Sequence, residues 1–491
     1  MNIQFQPNTL YYGDCLDIMA DFPEKSVDLI CLDPPFNSNR KYNNIFKNSG
    51  LKTEAQIKAF DDVWHWDEAS AERVQRLKNA VANPASKVIA GFEGFIPKSK
   101  MLSYTSYMAE RLFVMHRILK DTGSIYLHCD PYASHYLKLV MDAIFGEQHY
   151  RNEIVWCYTG PSNTKRWFPH KHDIILFYVK SNESPFYADA VRVPYSESFI
   201  NRRRYTEGQS GITAGYSEGR EDAEIQSSFG SGKIIEDYWT DIPAGGAIPK
   251  NERMGYPTQK PLKLYDRIIK ASSNESDLVL DPFAGCGTTV EAALINQRDV
   301  IGIDILPFAL RLINEHRIKP HGREPFPMQG IPVDMDTATQ LAKTAPFKFQ
   351  DWAVSLINGF AANPQKVGDD GIDGFGMLFN KPDNMERKAI IVQVTGASGS
   401  QKAKYDRLHA NVRNENAAMG ILITLDEQNA QRNWKHTLEP VKIGASEYPP
   451  IQCFSVEEYF RYDRDPNRIL QLPSLANPWT GKQMQPTLFD F

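Results

Sequence analysis

At 491 residues, with 42% hydrophobic and 23% charged side chains, the chain holds enough material for a real core and for two to four domains. No apolar run approaches the roughly 18 residues of a membrane span, and "MNIQFQPNTLYYGD" has no basic segment followed by an apolar one, so neither a membrane partner nor a signal peptide is expected. The net charge of −5 neither advertises nor excludes nucleic acid, because a local basic face is what matters. The six cysteines (15, 31, 129, 157, 286 and 453) form no CxxC pair, which argues against a zinc site or a disulfide framework and for a reducing cytoplasm.

In chain order the first strong element is "VDLICLD" (27–33), an apolar, β-branched run that reads as a buried strand. A stretch rich in Asn, Lys and Trp (37–100) reads as a long loop, and such loops in compact domains are usually functional. "SYMAERLFVMHRILK" (106–120) has helical spacing and "GSIYLHCD" (123–130) reads as a second strand. "PYASHYLKLVMDAIF" (131–145) reads as a helix with Pro131 in its first turn. Over 151–255 the texture changes. Strands "EIVWCY" and "DIILFYVK" flank "TGPSNTKRWFPHKH" (159–172), basic and aromatic without an acid, and an arginine run (202–204) with Gly/Ser-rich patches follows. Alternation then returns with "PLKLYDRIIKASS", "DLVLD", "GTTVEAALINQ" and "DVIGIDI". A polar, proline-bearing linker at about 317–345 leads to a last α/β block with strands "KAIIVQVT" (388–395) and "GILITL" (420–425). The pattern predicts layered α/β sheets with helices on both faces.

Two places carry chemistry. The strand at 27–33 ends on Asp33, Pro34, Pro35 and Phe36. The prolines give up two N–H donors and fix φ near −65°, so the turn is stiff and only accepts hydrogen bonds. It suits a ligand that presents N–H groups and a flat face to Phe36. In "DLVLDPFAGCGTTVEAA" (277–293), Gly285 and Gly287 let backbone approach a ligand just before a helix N-terminus at Thr288 and Thr289. The next strand ends on Asp304, placed to accept ribose hydroxyls. The third glycine of a pyrophosphate fingerprint is missing, which leaves a dinucleotide and S-adenosylmethionine both open. Asp281 suits a cationic amino-acid tail better than a pyrophosphate.

"YYGDCLD", "DLICLDPPFN", "GYPTQKPLKLYDRIIKASS", "DLVLDPFAGCGTT" and "VIGIDI" together resemble the β-class amino-DNA methyltransferases, in which the catalytic segment precedes the cofactor segment. The resemblance covers about 1–320, and "FGEQHYRNEIVW" and "KHDIILFYVKS" extend it into the variable middle. It implies a Rossmann-like methyltransferase fold with S-adenosylmethionine as cofactor and double-stranded DNA as partner. The implied reaction is transfer to adenine N6, with cytosine N4 as the alternative. Asp33 and the Pro34 carbonyl would accept the two amine hydrogens while Phe36 stacks on a flipped base. Asp281, Phe283, Gly285, Gly287 and Thr288 would hold the methionine part, and Asp304 the ribose. Thr258, Gln259 and Lys260 would close over the cofactor. Asp14 and Cys15 match the position near its adenine, with a plain helix-capping role for Asp14 as the alternative.

By the same resemblance, 1–150 is the catalytic half, 151–256 the target-recognition region and 257–335 the cofactor half. Within the recognition region Lys165, Arg166, Trp167, His170, Lys171, Arg202, Arg203 and Arg204 are candidates for phosphate and base contacts. A cognate restriction endonuclease and a second copy of the chain are further possible partners. Residues 336–491, with "GDDGIDGFG" and "AIIVQVTG", resemble the smaller α/β nuclease-like domain of Mrr or PD-(D/E)XK type. There Asp373 and Gln393 fit a metal site, but Thr395 stands where an active nuclease has lysine, so a degenerate site without metal is expected.

Overall fold

The computed structural model describes residues 3–35, 64–80, 82–160, 164–195, 232–244, 247–249, 252–254, 259–357, 360–363, 371–379, 387–396, 401–427, 438–443, 446–462, 464 and 466–473. The candidate site residues Phe36, Thr258, Arg202, Arg203 and Arg204 lie outside these residues.

The strands of the first part are β1 (Thr9–Tyr12), β2 (Val27–Leu32), β3 (Leu119–Cys129), β4 (Tyr150–Cys157), β5 (His172–Val179), β6 (Arg192–Val193), β7 (Lys233–Ile234), β8 (Tyr238–Trp239), β9 (Leu278–Asp281), β10 (Asp299–Asp304) and β11 (Met328–Gln329). Nine of them form one sheet in the order β11-β1-β10-β9-β2-β3-β5-β4-β8, parallel from β11 to β3. β5 then pairs antiparallel with both β3 and β4. β2 and β9 are apolar along their length because helices cover both faces of this sheet. The one acid within β2, Asp28, is satisfied by the Leu278 N–H at 2.9 Å and by Lys120 at 2.8 Å. The strands expected at 153–158 and 173–180 are β4 and β5. They belong to the main sheet, so that sheet runs on past residue 150 into the stretch read as target-recognition region.

The helices include α1 (Cys15–Ala20), α2 (Glu68–Asn79), α3 (Ser86–Phe95), α4 (Lys100–Ile118), α5 (Ser134–Phe145), α6 (Leu262–Ser272), α7 (Thr288–Ile295), α8 (Pro307–Ile313), α9 (Met335–Thr344) and α10 (Pro346–Ser355). Two expectations are corrected here. Most of the described part of 37–100 is helical: Asp67 caps α2 by accepting from Ser70 N, and Trp64 packs on Tyr104 and Tyr107 at centroid distances of 5.2 and 4.8 Å. The segment 317–345 is no simple linker either. β11 pairs with β1 at the sheet edge, and Asp334 with Thr337 forms a capping box that starts α9.

A second sheet, in the order β12-β13-β14-β15-β18, takes in Ala361–Ala362, Gly374–Phe379, Arg387–Thr395, Met419–Thr424 and Ile451–Ser455; β16 (Val441–Ile443) and β17 (Ser446–Tyr448) pair separately. β12, β13 and β14 run antiparallel, β14, β15 and β18 parallel, with helix α11 (Lys402–Asn414) between β14 and β15. The two sheets share one core. Tyr12, Leu310 and Ile313 cluster with Phe349, Trp352 and Val394, and Arg311 of α8 donates to the Ser355 carbonyl.

Candidate active site

Strand order reverses between β9 and β2: the chain builds outward from β2 to β3 on one side and from β9 to β10 on the other. In parallel α/β sheets the crevice beyond the carboxyl ends at such a point is where ligands bind. The register delivers acids there. Gly302 lies opposite Asp281 and Ile30 opposite Leu280, so Asp304 and Asp33 each project two residues beyond Asp281 on the flanking strands. Three carboxylates separated by up to 271 residues of sequence thus meet at one edge.

Their states differ for physical reasons. Burial works to raise Asp33, but the Lys260 ammonium and the His128 ring outweigh it and hold its carboxyl down to about 2. Lys260 pairs with Asp33 Oδ2, and His128 Nδ1 lies 2.8 Å from Asp33 Oδ1. Among the described residues Asp281 has no such cation beside it: burial, with Asp33 and Asp304 adding to it, pushes its carboxyl up to about 7, although it accepts from the Phe283 N–H at 3.0 Å. Asp304 is pushed up to about 6 by burial, against the Leu306 and Gly285 N–H groups that it accepts at 2.8 Å each. Asp304 therefore braces the glycine turn, while each oxygen keeps a second lone pair for a ligand.

The turn requires its glycines. Gly285 has φ +50° and Gly287 φ +77°, and a Cβ on Gly287 would lie 2.6 Å from Ile313 Cγ1. Gly287→Ala is expected to cost about 1–3 kcal/mol of stability and to weaken cofactor affinity with it, since α8 must retreat from the turn. Thermal denaturation alongside calorimetric titration of the cofactor checks both.

Several expected cofactor contacts are placed differently. Asp14 accepts from Leu16 N as the cap of α1, and Arg111 clamps its carboxylate at 2.7 and 2.5 Å while stacking 3.2 Å from the Tyr107 ring centroid. Asp14 thus caps α1. The Cys15 thiol is packed in the core and pushed up to about 12 by burial, so almost none of its side-chain surface faces a ligand. Gln259 is buried and spans the Glu252 carbonyl and the Met254 N–H. Lys260 closes onto Asp33 itself, while the Thr288 hydroxyl donates to the Lys260 carbonyl at 3.2 Å.

Lys165, Arg166, Trp167, His170 and Lys171 lie on the β4–β5 connection, whose base is tied by Tyr158 N donating to the Lys171 carbonyl at 2.9 Å. Trp167 is exposed, and Phe168 is 95% exposed. The Tyr132 hydroxyl is 3.3 Å from His170 Nε2, and beside Asp33 stand two residues that the sequence does not single out. These two are His128 on β3 and Asp173 on β5, which face each other at 3.4 Å. A histidine two residues before an acid that accepts from the start of a helix carries no signal until the partner strands are known.

A family model described as DNA methylase, of the N6/N4 type, matches residues 27–315. The chain belongs to the DNA methylase family. Among its relatives, the type II methyltransferase M.HpaI of Haemophilus parainfluenzae is 31% identical over 391 residues, covering 78% of this chain and 95% of that protein. The DNA adenine methyltransferase YhdJ of Escherichia coli is 27% identical, with 61% of this chain and 79% of that one covered. M.BglII of Bacillus subtilis is 24% identical, and this chain spans 65% of its length. The methylase acts on DNA, with S-adenosylmethionine as its methyl donor. The site's chemistry fits that donor: desolvation disfavours the ionised Asp281 and Asp304 carboxyls, and a cationic ligand bearing hydroxyls would offset it.

Proposed function

We propose that the methylase modifies the exocyclic N6 of adenine within a specific double-stranded sequence. The observation that carries this reading is Asp33, a carboxylate held ionised at the carboxyl end of β2 next to Asp281. An amine conjugated to a purine ring is a poor nucleophile. An acceptor-only pair, the Asp33 carboxylate and the Pro34 carbonyl, would take its two N–H hydrogens and free the lone pair, with Phe36 stacking on the extruded base. S-adenosylmethionine supplies an electrophilic methyl on a sulfonium. Asp281, with the turn at Phe283, Gly285, Gly287 and Thr288, would hold its amino-acid part and Asp304 its ribose. Alignment of amine and methyl then provides much of the rate. An acid rather than a serine at the head of the motif, and a relative whose name states adenine, support N6 over N4.

The β4–β5 connection, with Lys165, Arg166, Trp167 and Lys171, would grip phosphates and bases, and Arg202 and Arg203 extend that set. The order of the described elements over 346–424, a helix, three antiparallel strands, a helix and a parallel strand, supports a nuclease-like unit. In it Asp373 accepts from Val394 N at 2.7 Å and the Thr395 hydroxyl contacts Gln401 at 3.0 Å, which favours a structural or DNA-gripping role over cleavage. Among the described residues no helix is long and apolar enough to cross a membrane; a cytoplasmic enzyme, working beside a cognate endonuclease or as a homodimer, completes the proposal. DNA from a methylation-free host expressing the chain, digested to nucleosides, is expected to contain N6-methyladenine. N4-methylcytosine alone would overturn the choice of base.

A further inference from the structure

An imidazole, 2% exposed, stands inside the sheet between two acids from different strands. The register sets Leu32 of β2 opposite Leu127 of β3, so His128 lies beside the residue that follows β2, the Asp33 that heads the proline turn. Nδ1 is 2.8 Å from Asp33 Oδ1, and Nε2 is 3.4 Å from Asp173 Oδ2. Asp173 is itself fixed, because the Tyr158 hydroxyl donates to its other oxygen at 3.2 Å. Beyond Asp33 stands Lys260, paired with the second carboxylate oxygen. A line of polar groups therefore runs Tyr158–Asp173–His128–Asp33–Lys260 through an otherwise apolar layer in which Trp156 packs 5.7 Å from the imidazole.

We propose that His128, backed by Asp173, is a positioning residue that fixes the rotamer of the Asp33 carboxylate and keeps one of its oxygens from turning onto Lys260. The proposal rests on the reading of Asp33 as acceptor for the target amine. The reason is competition. Lys260 is a mobile cation on a four-carbon stem with three donors, and an unopposed carboxylate would turn toward it and offer the base neither oxygen. His128 sits on the opposite side, rigid in the sheet, and divides the two oxygens between two partners. Burial and the Lys260 charge push His128 down, but the acids on either side prevail and its pKa is raised. A buried imidazole with two acids aligned on it is an unusual use of a core position. An apolar residue would fill the same layer without them.

The experiment compares His128→Ala, His128→Asn, Asp173→Asn and the double variant His128→Ala/Asp173→Asn in steady-state methylation. DNA and cofactor KM are measured, and Asp33→Ala is run in parallel. His128→Ala is expected to lower kcat about 100-fold with both KM values within about threefold. His128→Asn, which keeps a side-chain amide donor near the Nδ1 position, should recover about tenfold of that. The double variant should be no slower than His128→Ala, because Asp173 acts only through the ring. An unchanged kcat in His128→Ala, equal losses in the Ala and Asn variants, or multiplying effects in the double variant would each overturn the proposal. If His128→Ala does not fold, a kcat for His128→Asn and Asp173→Asn equal to the unsubstituted enzyme's would do the same. Asp33→Ala separates the two readings: its inactivity beside a fully active His128→Ala sinks only the role of His128, whereas its full activity sinks the role of Asp33.

Discussion

Replacing Asp33 by alanine is expected to lower methyl transfer by about 10³-fold, the scale on which single electrostatic groups act in transition states, while S-adenosylmethionine binds within about threefold of its normal affinity. Asp33 lies on the β2 side of the crevice and holds no part of the glycine turn, whose braces are Asp304 and the backbone. Its depressed pKa keeps it an acceptor at every pH at which the enzyme works. Asp33→Asn, whose carbonyl still accepts one N–H, should fall between alanine and aspartate. The substitution also leaves Lys260 and His128 facing each other without their anion. Breaking a buried pair in this way costs about 3–5 kcal/mol, and the partial exposure of Asp33 reduces that figure. The assay must therefore be run on protein shown to be folded by circular dichroism, with cofactor affinity measured by calorimetry. A large loss of cofactor affinity would move Asp33 from the acceptor of the target amine to the cofactor site.

The second large effect concerns Asp281. Without a cationic ligand, burial holds its carboxyl up at about 7. A bound cation favours the ionised form, so binding below that pH must release a proton. Affinity for S-adenosylmethionine is accordingly expected to be flat above about pH 8 and to weaken toward tenfold per unit below about 7. Asp304, held up to about 6, steepens the fall further down. Asp281→Asn should flatten the profile near neutrality and cost about 10- to 100-fold in affinity at pH 8, the loss of one charge-assisted contact. Stability runs the other way. A carboxyl raised in the folded state stabilises the fold fully below its unfolded value of 3.8 and loses that contribution as pH rises through about 7. The thermal shift given by the cofactor should therefore grow from pH 5.5 to pH 8. A shift that stays constant across that window in the unsubstituted enzyme would contradict the role of Asp281.

How much of this was legible in the chain depends on which forces set each element. β2, β9 and β10 announced themselves because a strand buried on both faces must be apolar throughout, and the acids that end them then stand out. Gly285 and Gly287 were legible for a steric reason, since a side chain at 287 has no room. Partners remote in sequence were not legible. Lys260 reads as part of a cofactor-closing segment, and only the fold reveals that its ammonium meets an acid 227 positions earlier. His128 and Asp173 are invisible for the same reason, each being a polar residue near one end of a strand whose neighbours the sequence does not name. That the Cys15 side chain points into the core was not legible either, because motif position does not say which way a side chain points. Residues 68–95 and 335–344 were read as loop and linker on composition, although Asp67 and Asp334 supply the caps that start helices there.

The central claim is that a fixed acid at position 33 accepts the target amine beside the methyl donor. A structure of the enzyme with S-adenosylmethionine tests it most directly. The donor methyl is expected to face Asp33 and Pro34, with the ammonium group at Asp281 and the ribose at Asp304. A sulfonium turned toward β10, with the Asp33 carboxylate closed off behind it, would contradict the account.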